Sequence, residues 1–138
     1  MAYTAAVNAE INVEKQVEYW RKGGQEDWDV GADLVRRGKS RHGLFFVHLA
    51  IEKTIKAVVV ANTGEMPPKS HDLLRLAALA RLSLDDERRS ALSQISRYCL
   101  EGRYPDTWGG PPDEEEARVA VLAAESVSAW LQTMFEKK

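Results

Sequence analysis

The densest run of reactive side chains in this 138-residue chain is Ser96-Arg97-Tyr98-Cys99-Leu100-Glu101-Gly102-Arg103-Tyr104-Pro105-Asp106. Arginine forks bind phosphate bidentately, and a tyrosine offers both a stacking face and a hydroxyl. Arg97 and Arg103 point about 120° apart on a regular helix at ~100° per residue. Gly102, ahead of Pro105, could loosen the last turn and let the two converge, with Asp106 holding Arg103. The structural alternative is a helix end where Arg103 complements the dipole and Tyr104 anchors the loop. An exposed Arg103–Asp106 pair would then contribute only ~0–1 kcal/mol.

The three histidines, His42, His48 and His71, offer general bases and acids. His48 lies in an otherwise apolar segment, and a buried, hydrogen-bonded imidazole and a catalytic one both fit it. His42 opens its segment and reads as a turn or solvent-facing residue. His71 sits in Ser70-His71-Asp72, which reads first as a helix-capping sequence. No two histidines stand three or four residues apart, and Cys99 is the single cysteine, so neither a metal nor another cofactor is expected. Cys99, on one helix with Ile95, reads as packing rather than as a nucleophile. Gly-x-Gly-x-x-Gly, a Walker loop, His-Glu-x-x-His and Gly-x-Ser-x-Gly are all missing.

The elements that must carry these residues are helices. Apolar spacing follows the helical period throughout, with breaks at Gly38–Ser40, Gly64–Ser70, Leu82–Asp85 and Pro105–Pro112. A first helix is expected over about Val13–Arg37, with Gly24 and Gly31 on one face for close approach of a partner helix. A kink at Gly23-Gly24 is the other reading. The second, about Arg41–Asn62, is apolar around most of its circumference and should be central, with Glu52 and Lys56 paired on its remaining polar edge. Ser70 caps a short third helix, Asp72 to about Leu82, and Ser83 or Asp85 caps a fourth from Asp86 to about Arg103. The last begins with Asp113, Glu114, Glu115 and Glu116 against the positive end of its dipole. Its face of Ala117, Val121, Ala124, Leu131 and Phe135 packs inward. Four main helices plus one short helix, joined by short links, make an all-α antiparallel up-and-down bundle.

Composition sets the frame. With 44% hydrophobic and 29% charged residues the chain has a soluble, folded composition, and its length suits one domain over residues 1–138. Residues 1–12 are expected to be a less ordered N-terminal segment. A net charge of −2 excludes binding to nucleic acid by bulk charge but leaves room for a local basic site. No apolar run reaches the ~18–20 residues of a membrane span, and Met1–Glu14 lacks a signal-peptide layout. The expectation is a cytoplasmic protein with no membrane contact.

Tyr19-Trp20 with Asp27 and Leu34, then Phe46-x-His48-Leu-Ala-x-Glu52-Lys53-x-x-Lys56-Ala57, Lys69-Ser70-His71-Asp72-Leu73 and Arg103-Tyr104-Pro105-Asp106, together resemble the HEPN domain family. The ordered set runs from about Val17 to Lys137. The resemblance implies a helical bundle related to the helical domain of kanamycin nucleotidyltransferase, and commonly a homodimer. It also implies a gene beside a minimal nucleotidyltransferase, often as a toxin–antitoxin-like pair, and a proposed nucleotide-binding role. Many members are metal-independent ribonucleases with an Arg-x(4–6)-His motif late in the domain. This chain carries no histidine after His71 and is similar instead to an Arg-Tyr-Pro-Asp subgroup. Arg36 and Arg37 with His42, and Arg41 with His48, satisfy the spacing at the start of the second helix, away from the family's position.

Three readings follow. In the first, a non-catalytic module binds a nucleotide or a nucleotidyltransferase partner through Arg97, Arg103, Tyr104 and Asp106, helped by Lys53 or Lys69. In the second, an RNA-cleaving toxin uses His48 or His42 as general base for a ribose 2′-OH, with an arginine such as Arg41 stabilising the phosphorane. In the third, the chain is a structural dimerisation module without a ligand. The first is the reading preferred. For the homodimer that the resemblance implies, Trp28 and Trp108 are candidate interface aromatics, and packing of both within the chain is the alternative.

Overall fold

Every helix among the described residues starts at a side chain that accepts from a free N–H group, with one exception. In a computed structural model describing residues 11–99 and 112–136, five α-helices occur. They are α1 (Val13–Arg36), α2 (Ser40–Thr63), α3 (Leu73–Leu79), α4 (Asp86–Ser96) and α5 (Glu114–Thr133), with a 3-10 turn at Arg97–Cys99 after α4. Asn12, Asp72, Asp85 and Asp113 each accept a hydrogen bond from the backbone N–H three residues on. Such caps contribute about 1 kcal/mol each. Only α2 starts without a side-chain cap. Among the described residues there is no strand.

Direction follows from contacts. Along α1 and α2, Gly24 faces Ala50 and Thr54, whereas Gly31 faces Gly43 and Val47. As positions rise on one helix they fall on the other, so the pair is antiparallel. Arg21 near the start of α1 bonds Gln132 at the end of α5, and Gly38 after α1 lies by Glu114 at the start of α5. Arg88 early in α4 lies over Trp130 late in α5, and Tyr98 after α4 reaches back to Glu116. The four long helices therefore run up, down, up and down, with α3 bridging α2 and α4.

Fifteen of the 24 residues of α2 are buried, against two in α1, so α2 is the central helix as its composition requires. Its Val47, Ile51, Ile55 and Val58 pack with Leu73 and Leu76 of α3, Leu92 and Ile95 of α4, and Ala124, Val127 and Leu131 of α5. A smaller cluster joins Leu44, Tyr98, Ala117 and Ala120. Trp28 packs against the main cluster as a partly buried residue. Trp108 lies outside the described residues.

The α1–α2 seam is the tightest part of the fold. A Cβ on Gly31 would stand 2.8 Å from both the Gly43 carbonyl oxygen and the Val47 nitrogen, and one on Gly24 would stand 2.8 Å from Thr54 Oγ1. The helix α1 is continuous through Gly23-Gly24, so the glycines serve close approach.

Three boundaries depart from sequence expectation. Asp72, not Ser70, caps α3, and Ser70 Oγ accepts from the Asp72 N–H instead. The helix α3 stops at Leu79 rather than near Leu82, because Arg81 adopts φ 63° and the Arg81 and Leu82 N–H groups turn back onto the Ala78 and Ala77 carbonyls. That is a Schellman ending built on a non-glycine residue. The helix α4 gives way after Ser96 to the 3-10 turn rather than running on to Arg103. With the backbone tightened there, the Tyr98 ring enters the smaller cluster.

Candidate functional site

Three polar residues of α2 sit four apart, at His48, Glu52 and Lys56, and so form one line along the helix. The expected polar edge holding Glu52 and Lys56 is in fact buried, at 3% and 6% exposure, and His48 is fully enclosed. The correction has a simple cause: α1 and the 64–72 segment cover that edge. Lys56 Nζ donates to Glu52 Oε2 at 2.9 Å and lies 5.3 Å from the centre of the Trp20 ring on α1. His71 Nδ1 donates to Glu52 Oε1 at 3.0 Å, which makes His71 the surface end of the network rather than part of a cap. Because a carboxylate only accepts, that bond fixes the His71 ring with its Nε2 edge turned away from Glu52.

His48 closes the cluster from beneath. Its Nε2 donates to the His71 carbonyl oxygen at 3.3 Å, and its Nδ1 stands 3.8 Å from Glu52 Oε1, beyond hydrogen-bond range. Burial pushes the His48 pKa below its ordinary value, with Glu52 opposing that shift. A neutral imidazole with its N–H on Nε2 follows. The ring is enclosed, so it cannot reach the 2′-OH of an RNA strand. Beside this cluster Lys53 Nζ pairs with Asp27 of α1 at 2.8 Å, and its stem packs against Gly23.

The second polar feature is on α4. Arg89 and Ser93 of α4, Arg97 of the turn after it, and Ser90, Gln94, Asp86 and Leu74 line an open cavity of about 510 Å³. Arg97 is exposed. Tyr98, by contrast, is 3% exposed, with burial raising its pKa, so it packs the core and offers no stacking face.

The residues singled out from sequence therefore separate. Arg97 joins the α4 cavity, but Arg103, Tyr104 and Asp106 lie outside the described residues. Lys53 is engaged by Asp27, and Lys69 is exposed ahead of α3; neither lines the α4 cavity. Arg41 and His42 are exposed near the start of α2 and line a different groove with Phe46 and Asp113. Among the described residues no group of three or more His, Cys, Asp or Glu could hold a metal ion. No helix among them is long and apolar enough to cross a membrane. The Glu52–His71 contact was missed in the sequence, although polar residues at four-residue spacing within an otherwise apolar helix signal a buried polar line.

The up-and-down arrangement of α1, α2, α4 and α5 places the chain among antiparallel helical bundles. The HEPN domain profile matches residues 17–134, and the chain belongs to the HEPN domain family. In fold it is similar to TT1696 from Thermus thermophilus, whose crystal structure matches with a TM-score of 0.72 at 21% sequence identity. That match covers 86% of this chain and 98% of the other. Among curated proteins no significant sequence match was found.

Proposed function

We propose that this HEPN-family chain is a non-catalytic module that binds a nucleotide, or a minimal nucleotidyltransferase partner, at the C-terminal end of α4. One observation carries the reading: Arg89 of α4 and Arg97 of the turn that follows it line one open cavity with two serines and a glutamine. Guanidinium groups make charge-assisted hydrogen bonds to phosphate oxygens, and serine hydroxyls and an amide between them add neutral donors. In sequence the chain then continues into Arg103, Tyr104 and Asp106, our candidates for a third guanidinium, an aromatic ring and its carboxylate partner. In a toxin–antitoxin-like pair the same surface serves the partner enzyme, and the module acts as a homodimer.

The test is isothermal titration of a nucleoside mono-, di- and triphosphate panel, and of a genomically neighbouring nucleotidyltransferase, against wild type and Arg97→Gln/Arg103→Gln. Loss of binding with an unchanged melting temperature supports the site. Intact binding with a destabilised fold assigns these arginines to structure and removes the proposal's main residues.

A further inference from the structure

At the other end of the bundle from Arg97, the first turns of α1, the last turn of α2 and the end of α5 enclose a cavity of about 690 Å³. Val13, Val17, Ala61, Met134 and Phe135 supply apolar lining. That volume is in the range of small-molecule sites. Seven polar or charged residues complete the lining, and among them Arg21 is held by the wall around it. Its guanidinium donates to Gln132 Oε1 at 2.9 Å and lies 4.2 Å over the Phe135 ring. Both partners are uncharged, so they orient the exposed fork without ion-pairing it. Lys22 lines the same cavity, and neither cation is ion-paired with a carboxylate among the described residues.

Glu14 and Glu18 stand on the same wall, also without an ion pair. Two cations and two carboxylates cancel in formal charge, so the cavity offers no net positive field to a phosphate dianion. A positioned guanidinium still gives one directed, charge-assisted contact.

We infer that this cavity is a binding site for a small monocarboxylate with an apolar body, its carboxylate on Arg21 and its body against Val17, Ala61, Met134 and Phe135. The site is separate from the α4 cavity and does not depend on it. A carboxylate entering beside Arg21 takes the directed, charge-assisted contact that the guanidinium offers, and a ring or short alkyl chain fills the apolar part of the lining.

Binding is read by 15N-labelled backbone amide shifts on titration with 4-phenylbutyrate, with 4-phenyl-1-butanol and phenyl phosphate in parallel. The expected result is saturable shifts confined to residues 13–25, 61–62 and 132–135 with the carboxylate. The alcohol should bind at least about tenfold more weakly, the loss expected for one hydrogen bond to a charged group. Arg21→Gln should reduce the carboxylate to the affinity of the alcohol. Because that change also removes the Gln132 and Phe135 contacts, Ala61→Phe is the second variant: Ala61 is exposed on α2, and a ring there fills the cavity. A folded Ala61→Phe protein should show no saturable shifts. Dissociation constants weaker than about 10 mM, shifts mapping elsewhere, equal binding of the alcohol, tighter binding of the phosphate, or unchanged binding by Ala61→Phe would each overturn the assignment.

Discussion

Replacing Glu52 by glutamine isolates the charge at the centre of the buried network. The side chain keeps its shape and one carbonyl oxygen, but Lys56 loses its counter-ion at 2.9 Å in a site where the two side chains are 4% and 8% exposed. Breaking a buried ion pair by neutralising one member costs about 3–5 kcal/mol, because the other charge stays buried. The Trp20 ring, 5.3 Å from Lys56 Nζ, retains roughly 1 kcal/mol of cation–π attraction. Glu52→Gln should therefore destabilise by about 2–4 kcal/mol, lowering the melting temperature by roughly 8–16 °C at about 4 °C per kcal/mol. Lys56→Met in the Glu52→Gln background removes the stranded charge and should recover at least about 1 kcal/mol over the sum of the single variants. The assay is urea unfolding followed by circular dichroism for the four members of the cycle. A Glu52→Gln loss below about 0.5 kcal/mol, or simple additivity in the double variant, would show that the pair is solvated and the reasoning wrong.

Other outcomes are equally direct. His48 has its pKa depressed by burial, so the folded state resists a proton that the unfolded chain accepts; stability present at neutral pH is lost as pH falls below about 6.5. His48→Gln should flatten that acid limb in urea titrations run between pH 7 and pH 5, and an unchanged slope would refute it. Arg81→Gly relieves a non-glycine residue at φ 63° and should raise stability by about 0.5–1 kcal/mol, read as a higher urea midpoint. Gly31→Ala places a Cβ 2.8 Å from two backbone atoms of α2 and should cost about 3 kcal/mol by thermal melting; a neutral result would mean the seam can open freely.

The helices were legible because their signals are local. Asp85 was one of two caps offered for α4, glycines marked the α1–α2 approach, and the apolar circumference of α2 announced its central place. The end of α3 was hidden because its left-handed residue is Arg81, where a glycine would have marked the stop. The switch to a 3-10 turn at Arg97 was hidden because it depends on Tyr98 finding Leu44 and Ala117, residues far away in sequence. The candidate site suffered in the same way. Glu52 and Lys56 looked like a surface pair because helical spacing reports a shared face without telling what covers it, and the cover comes from Trp20 and His71. Arg21 carried no sequence signal, since its position is set by Gln132 and Phe135 more than a hundred residues away.

The glycine seam also decides how the molecule can move. Helices that meet through long side chains slide past one another by small rotamer changes, and such shear is the usual way packed helices adjust. Between α1 and α2 that freedom is removed, because at Gly31 and Gly43 backbone lies on backbone. A slide toward the next turn would bring the Val35 or Val47 side chain, on the same helix faces, into the crossing. The two longest helices are thus a single stiff lever. Any signal sent from one end of the bundle to the other must travel as a tilt of that lever against α3, α4 and α5, not as a slip within it.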